Sequence, residues 1–361
     1  MTFAVDAFPF PSYEKIAESL AAWLGDDEAA FRASTRTEWI VTEKIHGANF
    51  CFVTNGDVVR CAKRKAFLTD DEDFFDHRPL AARLTPAILD VFVSARSEEP
   101  RVGLVYVYGE LFGGAYPHPD VAPALGVSPV QTGVWYAPTI EFSAFDVGVV
   151  HEGGRERSYL DQDSASRLCA GAGVRYARPL FRGSYEDACA LPLGFETTIP
   201  AFLGLPSLGP SNRAEGVVLK PARAIVVPRR DAVIRPVIKR KIPEFAEDVR
   251  FHEAEKWPAP RAPGGAATLS WLEHEGSALV NENRLHAAVS KLGRAGPDDA
   301  AKLAEIVELV RDDVASELRL RFGAELATLA PNDARALDRF VAGEAGALVE
   351  LYLGAAPRRV D

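Results

Sequence analysis

The chain has 361 residues, 47% apolar and 25% charged, with a net charge of −10. A length well above about 150 residues predicts two domains of an ordinary globular protein. No run approaches the roughly 18 apolar residues of a membrane span, and the start MTFAVDAFPFPSYEK has no basic region followed by an apolar one, so neither a spanning nor a secreted protein is expected and the cytoplasm is predicted.

Taken in order, the chain opens with a helical candidate, SYEKIAESLAAWL, and then turns to short β-rich runs. WIVTEK, NFCFVT, VVRCAK, GLVYVYGEL, EFSAFDVGVV, EGVVLKP and AVIRPVIKRK all have strand character. CFVTNGDVVRC reads as a hairpin, because Asn55-Gly56 suits a primed two-residue turn. DSASRLCAGAG is a second helical piece. After Lys241 the texture changes. PEFAEDVRFHEAEKW reads as a helix, WPAPRAPGGAA as a loop, and the remainder as almost wholly helical, with Leu303, Ile306, Val307 and Val310 on one face. The prediction is an α+β domain with antiparallel sheets over 1–246, followed by an all-helical C-terminal domain over 247–361.

The charge is uneven. Between Leu219 and Lys241 stand Lys220, Arg223, Arg229, Arg230, Arg235, Lys239, Arg240 and Lys241 against the single acid Asp231, a strong basic field on an acidic protein. Four cysteines without CxxC spacing and seven scattered histidines without HExxH offer no zinc site or disulfide framework, so any metal should arrive with a substrate. The phosphate cradles GxxxxGK[ST] and GxGxxG are absent. In their place the strands carry charged residues at or near their ends: EKIHGAN (43–49), CAKRK (61–65), YGELFGG (108–114), FSAFDV (142–147), EGVVLKP (215–221) and VIKRK (237–241). Lys44 follows an apparently buried strand, where a lysine needs a partner or a task. Taken singly, Phe145 reads as core, Arg64 as part of a solvated basic edge and His46 as a turn residue.

The ordered set resembles motifs I, III, IIIa, IV and V of the covalent nucleotidyltransferases, the superfamily of nucleic-acid ligases and capping enzymes. Within it the chain is most similar to the RNA ligase 2 family, because KxHGxN with a following CAKR strand stands where DNA ligases usually carry KxDG. The match runs from about Trp39 to Lys241. The resemblance implies an ATP-grasp-like ligase domain in which Lys44 attacks the α-phosphate of ATP to form a lysyl-AMP. An amine near other cations loses its proton more readily, and lysines facing the phosphate neutralise its charge. The resemblance assigns Lys239 and Lys241 to the α-phosphate, and Lys220 to the first step. Glu43, Ile45, His46 and Asn49 of motif I would bind the nucleotide, Glu110 would accept from the ribose hydroxyls, Phe145 would stack on adenine, and Arg64 would lie near the AMP phosphate and the RNA end. Glu215 would hold Mg²⁺ or Mn²⁺, since Mg²⁺ takes one or two carboxylates plus phosphate and water. In the helical domain Arg284, with Asp312 or Asp313, would support steps on RNA.

The implied protein is an ATP-dependent RNA ligase, a monomer. It would seal a 3′-OH to a 5′-phosphate at nicks in duplex RNA or an RNA/DNA hybrid, through the lysyl-AMP and an AMP-capped RNA. A DNA ligase, a capping-type guanylyltransferase and a non-catalytic RNA-end-binding protein are the alternatives. The stretch from about Gly148 to Pro210 has no counterpart in the motif set.

Overall fold

The structure, a computed structural model, describes residues 8–245 and 266–355, except 15, 26, 125, 132, 226, 230, 231 and 297. It divides into two compact units, Met1–Glu244 and Phe245–Asp361. In chain order the first holds α1 (Leu20–Leu24), α2 (Glu28–Thr35), β1 (Trp39–Glu43), β2 (Ala48–Thr54), β3 (Val59–Lys63), α3 (His77–Glu98), β4 (Val102–Ala115), β5 (Ala137–His151), β6 (Arg157–Tyr159), α4 (Gln162–Gly171), β7 (Pro179–Gly183), α5 (Tyr185–Ala190), α6 (Ile199–Phe202), β8 (Gly216–Pro221), β9 (Val227–Arg229), β10 (Ala232–Ile234) and β11 (Ile238–Lys241).

Two antiparallel sheets organise this unit, one in the order β11-β8-β1-β7 and the other in the order β3-β2-β4-β5-β6. In the first, the two-residue period of a strand sorts the side chains by face. Trp39, Val41, Val217, Leu219 and Ile238 pack with Leu20, Leu24 and Ala188 into one core cluster. Full burial of each aliphatic side chain contributes roughly 1.5–3 kcal/mol. Register then sends the intervening residues to the opposite face: Ile40 pairs with Lys220, Thr42 and Lys239 with Val218, and Lys241 with Gly216. Lys220, Lys239 and Lys241 therefore share a face with the exit of β1, whereas Arg240 faces the other way. In the second sheet, Phe8, Cys51, Val53, Ala62, Tyr106 and Tyr108 form another cluster, with Tyr13 and Phe145 packed against it.

Several expectations need correction. The first helix is only Leu20–Leu24, capped by Ser19, whose hydroxyl accepts from Ala22 N at 3.0 Å. Ala17 is instead bridged to Ile238, and its carbonyl accepts from Lys239 N at 2.8 Å, so Ala17 belongs to the sheet edge and not to a helix. The hairpin exists, but Thr54 pairs with Val59, leaving four loop residues. The Asn55 side chain accepts from the amides of Asp57 and Val58, which stabilises the longer turn. AVIRPVIKRK is two strands, broken at 235–237. PEFAEDVRFHEAEKW lies outside the described residues from 246 onward; before that, Pro243–Phe245 is one 3-10 turn. The stretch 148–210 is built into the fold, since its β7 pairs along β1 and its α5 contributes Ala188 to the core.

The second unit shows α7 (Ala266–Leu279), α8 (Glu282–Leu292), α9 (Ala300–Leu326) and α10 (Pro331–Ala355). Asn281 caps α8, its side chain accepting from Arg284 N at 3.1 Å. The buried stripe of α9 is Ile306, Val310, Val314 and Leu318, with Leu303 and Val307 at its flank.

Candidate active site

β1 delivers Lys44 one residue past its end, where Lys44 N still donates to Gly216 O at 2.9 Å. Its Nζ lies 2.8 Å from Glu215 Oε2, and Lys241 Nζ lies 3.1 Å from Glu215 Oε1. His46 Nδ1 is 3.4 Å from Glu215 Oε2. One carboxylate thus joins motifs I, IV and V. Burial alone would push the Glu215 carboxyl up, but the charges of Lys44 and Lys241 and the His46 hydrogen bond hold it well below the usual carboxylate range. A Cβ on Gly216 would lie 2.0 Å from Arg240 O, so glycine is what lets β11 bring Lys241 this close.

Glu110 lies in the second sheet directly opposite Asn49. Burial pushes its carboxyl up to about 7, opposed by the charges of Lys44 and Arg64 and raised further by Glu215. A Cβ on Gly47 would lie 2.0 Å from Leu111 O, so the motif I turn also depends on glycine. Arg64 follows β3 in a half-buried turn and feels the same Glu110 charge. Lys239 points to the site face but its Nζ lies 3.8 Å from Glu18, a weaker engagement than that of Lys241. The structure therefore brings together Lys44, His46, Glu110, Glu215 and Lys241, with Asn49 and Arg64 at the margin.

Other expected residues sit elsewhere. Lys220 is buried, and its Nζ donates to Phe145 O at 2.5 Å, Asp146 Oδ1 at 3.1 Å and Tyr176 OH at 3.3 Å. Burial lowers the affinity of this amine for its proton, while Asp146 acts to restore it. Asp146 is also paired with Arg235 at 2.7 Å and accepts from Tyr13 OH at 2.5 Å. Phe145 is an extra residue at a bulge, because Tyr108 pairs with Asp146 and Gly109 with Ala144. Its half-buried ring meets Tyr13 edge to face at 5.1 Å. Much of the basic run is thus spent on ion pairs: Lys220 and Arg235 on Asp146, Lys241 on Glu215, while Arg240 donates to Cys189 O. The side chains of Arg229 and Arg230 lie outside the described residues.

Glu43 points away from this face. Thr197 and Thr198 bind its carboxylate, and Ile45 is buried. In the helical unit the Arg284 guanidinium is buried and paired with Asp313, whereas Asp312 is exposed and pairs with Arg311 at 2.9 Å. Of the two aspartates offered by spacing, Asp313 is the partner. Asp146, Tyr13, Thr197 and Tyr136 were not singled out from sequence. Only Asp146 left a signal, an acid inside an otherwise apolar strand.

Comparison with known proteins follows the same residues. The sequence model of the RNA ligase family matches residues 37–241, more than half of the chain. The mitochondrial RNA-editing ligase 2 of Trypanosoma brucei brucei is 34% identical over 206 residues, covering 52% of this chain and 49% of the relative. The mitochondrial RNA-editing ligase 1 of the same organism is 33% identical over 215 residues, covering 52% and 45%. The chain therefore spans about half the length of the curated relatives it matches. A Naegleria gruberi RNA ligase variant solved with ATP and Mn gives a TM-score of 0.40 at 15% identity, covering 66% of this chain and 58% of that one. Among the described residues no helix is long and apolar enough to cross a membrane. From Thr37, just before β1, to the last residue of β11, the chain belongs to the RNA ligase family.

Proposed function

We propose that the protein is an ATP-dependent RNA ligase that joins a 3′-OH to a 5′-phosphate at a nick in duplex RNA or an RNA/DNA hybrid. The observation that carries the reading is the Glu215 cluster, where Lys44 and Lys241 converge from separate strands on one carboxylate. The Lys44 amine attacks the α-phosphorus of ATP, forming a P–N bond as the bond to pyrophosphate breaks. The 5′-phosphate of RNA then takes the AMP, and the 3′-OH attacks that phosphate with AMP leaving. Catalysis of such transfers is mainly positioning and charge neutralisation, the tasks suited to Lys241 and Lys239. Glu110 would accept from the ribose hydroxyls, and the half-buried Phe145 ring offers a π-face to adenine.

The donor set fits Mg²⁺ or Mn²⁺. No group of three or more His, Cys, Asp or Glu gathers among the described residues, as suits a cation that takes most of its ligands from phosphate and water beside the single carboxylate of Glu215. When bound, the cation neutralises phosphate charge. The first unit would carry the adenylyl transfers. We assign the pair between the buried Arg284 and the partly exposed Asp313 to support of the helical unit during the steps on RNA.

The test uses purified full-length protein with Mg²⁺ and ATP labelled at the α-phosphate, beside GTP labelled likewise. Label from ATP that stays on the denatured protein and is absent from Lys44→Ala supports the lysyl-AMP. Label from GTP alone supports a capping enzyme. No label in folded protein that is not already adenylated supports an RNA-end binder. Sealing of all-DNA nicks in preference to RNA nicks would make it a DNA ligase.

A further inference from the structure

The residues flanking Lys44 are anchored by hydrogen bonds that the proposed chemistry does not use. Before it, the Glu43 carboxylate accepts from the Thr197 hydroxyl, from Thr198 N at 2.8 Å and from the Thr198 hydroxyl at 2.7 Å. After it, His46 N donates to the Tyr136 hydroxyl at 2.9 Å. These two anchors are linked. Thr197 N donates to Asn212 O at 2.9 Å, and the Asn212 side chain accepts from Trp135 N at 2.9 Å and donates to Trp135 O at 2.8 Å, one residue from Tyr136. Tyr136 is 1% exposed, and Thr197 and Asn212 are 4% exposed, so water hardly competes for these bonds.

The strand ends at Glu43, and beyond the one bond from Lys44 N to Gly216 O the residues up to Gly47 lie outside any strand. A nucleophile on a flexible four-carbon stem needs a fixed root, because attack requires the reacting atoms roughly 3–3.5 Å apart and aligned. We propose that Tyr136, Thr197 and Asn212 are positioning residues that act where the ladder stops, gripping residues 43 and 46 so that the Lys44 amine is presented to the α-phosphate. This rests on Lys44 being the nucleophile. The prediction separates steps: sealing of a nick that already carries AMP on its 5′-phosphate does not use the Lys44 amine as nucleophile, so it should be spared.

The experiment measures single-turnover labelling with α-labelled ATP and Mg²⁺, sealing of a pre-adenylated RNA nick, and the thermal midpoint, all on the full chain. Tyr136→Phe and Thr197→Val should slow labelling about tenfold to a hundredfold. The ATP concentration for half-maximal rate should stay within about twofold, and sealing should be retained. Thr197→Ser, which keeps the hydroxyl, should restore the labelling rate. Labelling at the wild-type rate in both variants overturns the proposal. So does a parallel fall of labelling, sealing and thermal midpoint that Thr197→Ser does not rescue, which is the signature of a merely structural role. Absence of label in the wild-type protein overturns the Lys44 assignment itself, a result distinct from either.

Discussion

Two carboxylate-centred clusters in the first unit use the same ingredients to different ends. Glu215 gathers Lys44, His46 and Lys241, whose side chains are 19%, 14% and 16% exposed. Asp146 gathers Lys220 and Arg235, both 9% exposed, with the Tyr13 hydroxyl closing the set. Both acids are buried and both are held ionised by their cations against the cost of burial. The difference lies in the partners. The cations around Glu215 keep more contact with solvent, whereas those around Asp146 are shut in with their acid.

Breaking each centre should therefore give different losses. The largest effect is expected from Lys44→Ala, which should abolish labelling by α-labelled ATP while a pre-adenylated nick is still sealed, measured by gel assay. Next comes Asp146→Ala. It leaves Lys220 and Arg235 buried without their acid and should cost about 3–5 kcal/mol in urea denaturation. Glu215→Gln should cost less stability than that, because Lys44 and Lys241 can turn to water, but should slow labelling by roughly a hundredfold or more.

A third difference appears with pH. The charges of Lys220 and Arg235 outweigh burial and hold the Asp146 carboxyl at about 2, below its ordinary 3.8. A depressed acid stabilises the fold above its unfolded value, and that contribution, about 2 kcal/mol, is lost as pH falls from about 4 through 2. Comparing urea midpoints of the wild type and Asp146→Asn across that window checks it. Glu110 has the opposite sign. Burial raises its carboxyl to about 7, so its contribution is present below pH 4.5 and lost as pH rises through about 7. Glu110→Gln should flatten that slope. The smallest effect is expected at the edge of the site: Glu18 is 73% exposed and 3.8 Å from Lys239, so Glu18→Ala should shift stability by less than about 0.5 kcal/mol.

Legibility in the sequence followed the range of the interactions. The charged strand ends of the first unit could be read because each motif is local: a strand and a charged residue within a few positions, with a glycine beside them in EKIHGAN, YGELFGG and EGVVLKP. α3, with 22 residues, was missed because Asp76 makes no side-chain cap, its backbone is left-handed, and Pro86 interrupts the pattern. The N-terminal helix is expected too long because its apolar spacing continues back through Ala17, which is bridged to Ile238 instead. Glu43 was grouped with the ligand-binding residues by position in a motif. In a strand, adjacent residues face opposite ways, so its neighbour Lys44 reaches the Glu215 cluster while Glu43 meets Thr197 and Thr198. The links from Thr197 to Glu43 and from Tyr136 to His46 span 154 and 90 positions, beyond any periodicity.

The pairing of β7 with β1 has a practical meaning for protein engineering. The segment between β5 and β8 looks in the sequence like an insert that could be trimmed to make a smaller protein. Yet β7 covers the outer edge of β1, from Trp39↔Gly183 to Thr42↔Pro179, and the same segment supplies Thr197. Excising it would bare a strand edge able to recruit another chain. Miniaturisation is better directed at surface loops that leave β7 and the Thr197 turn in place.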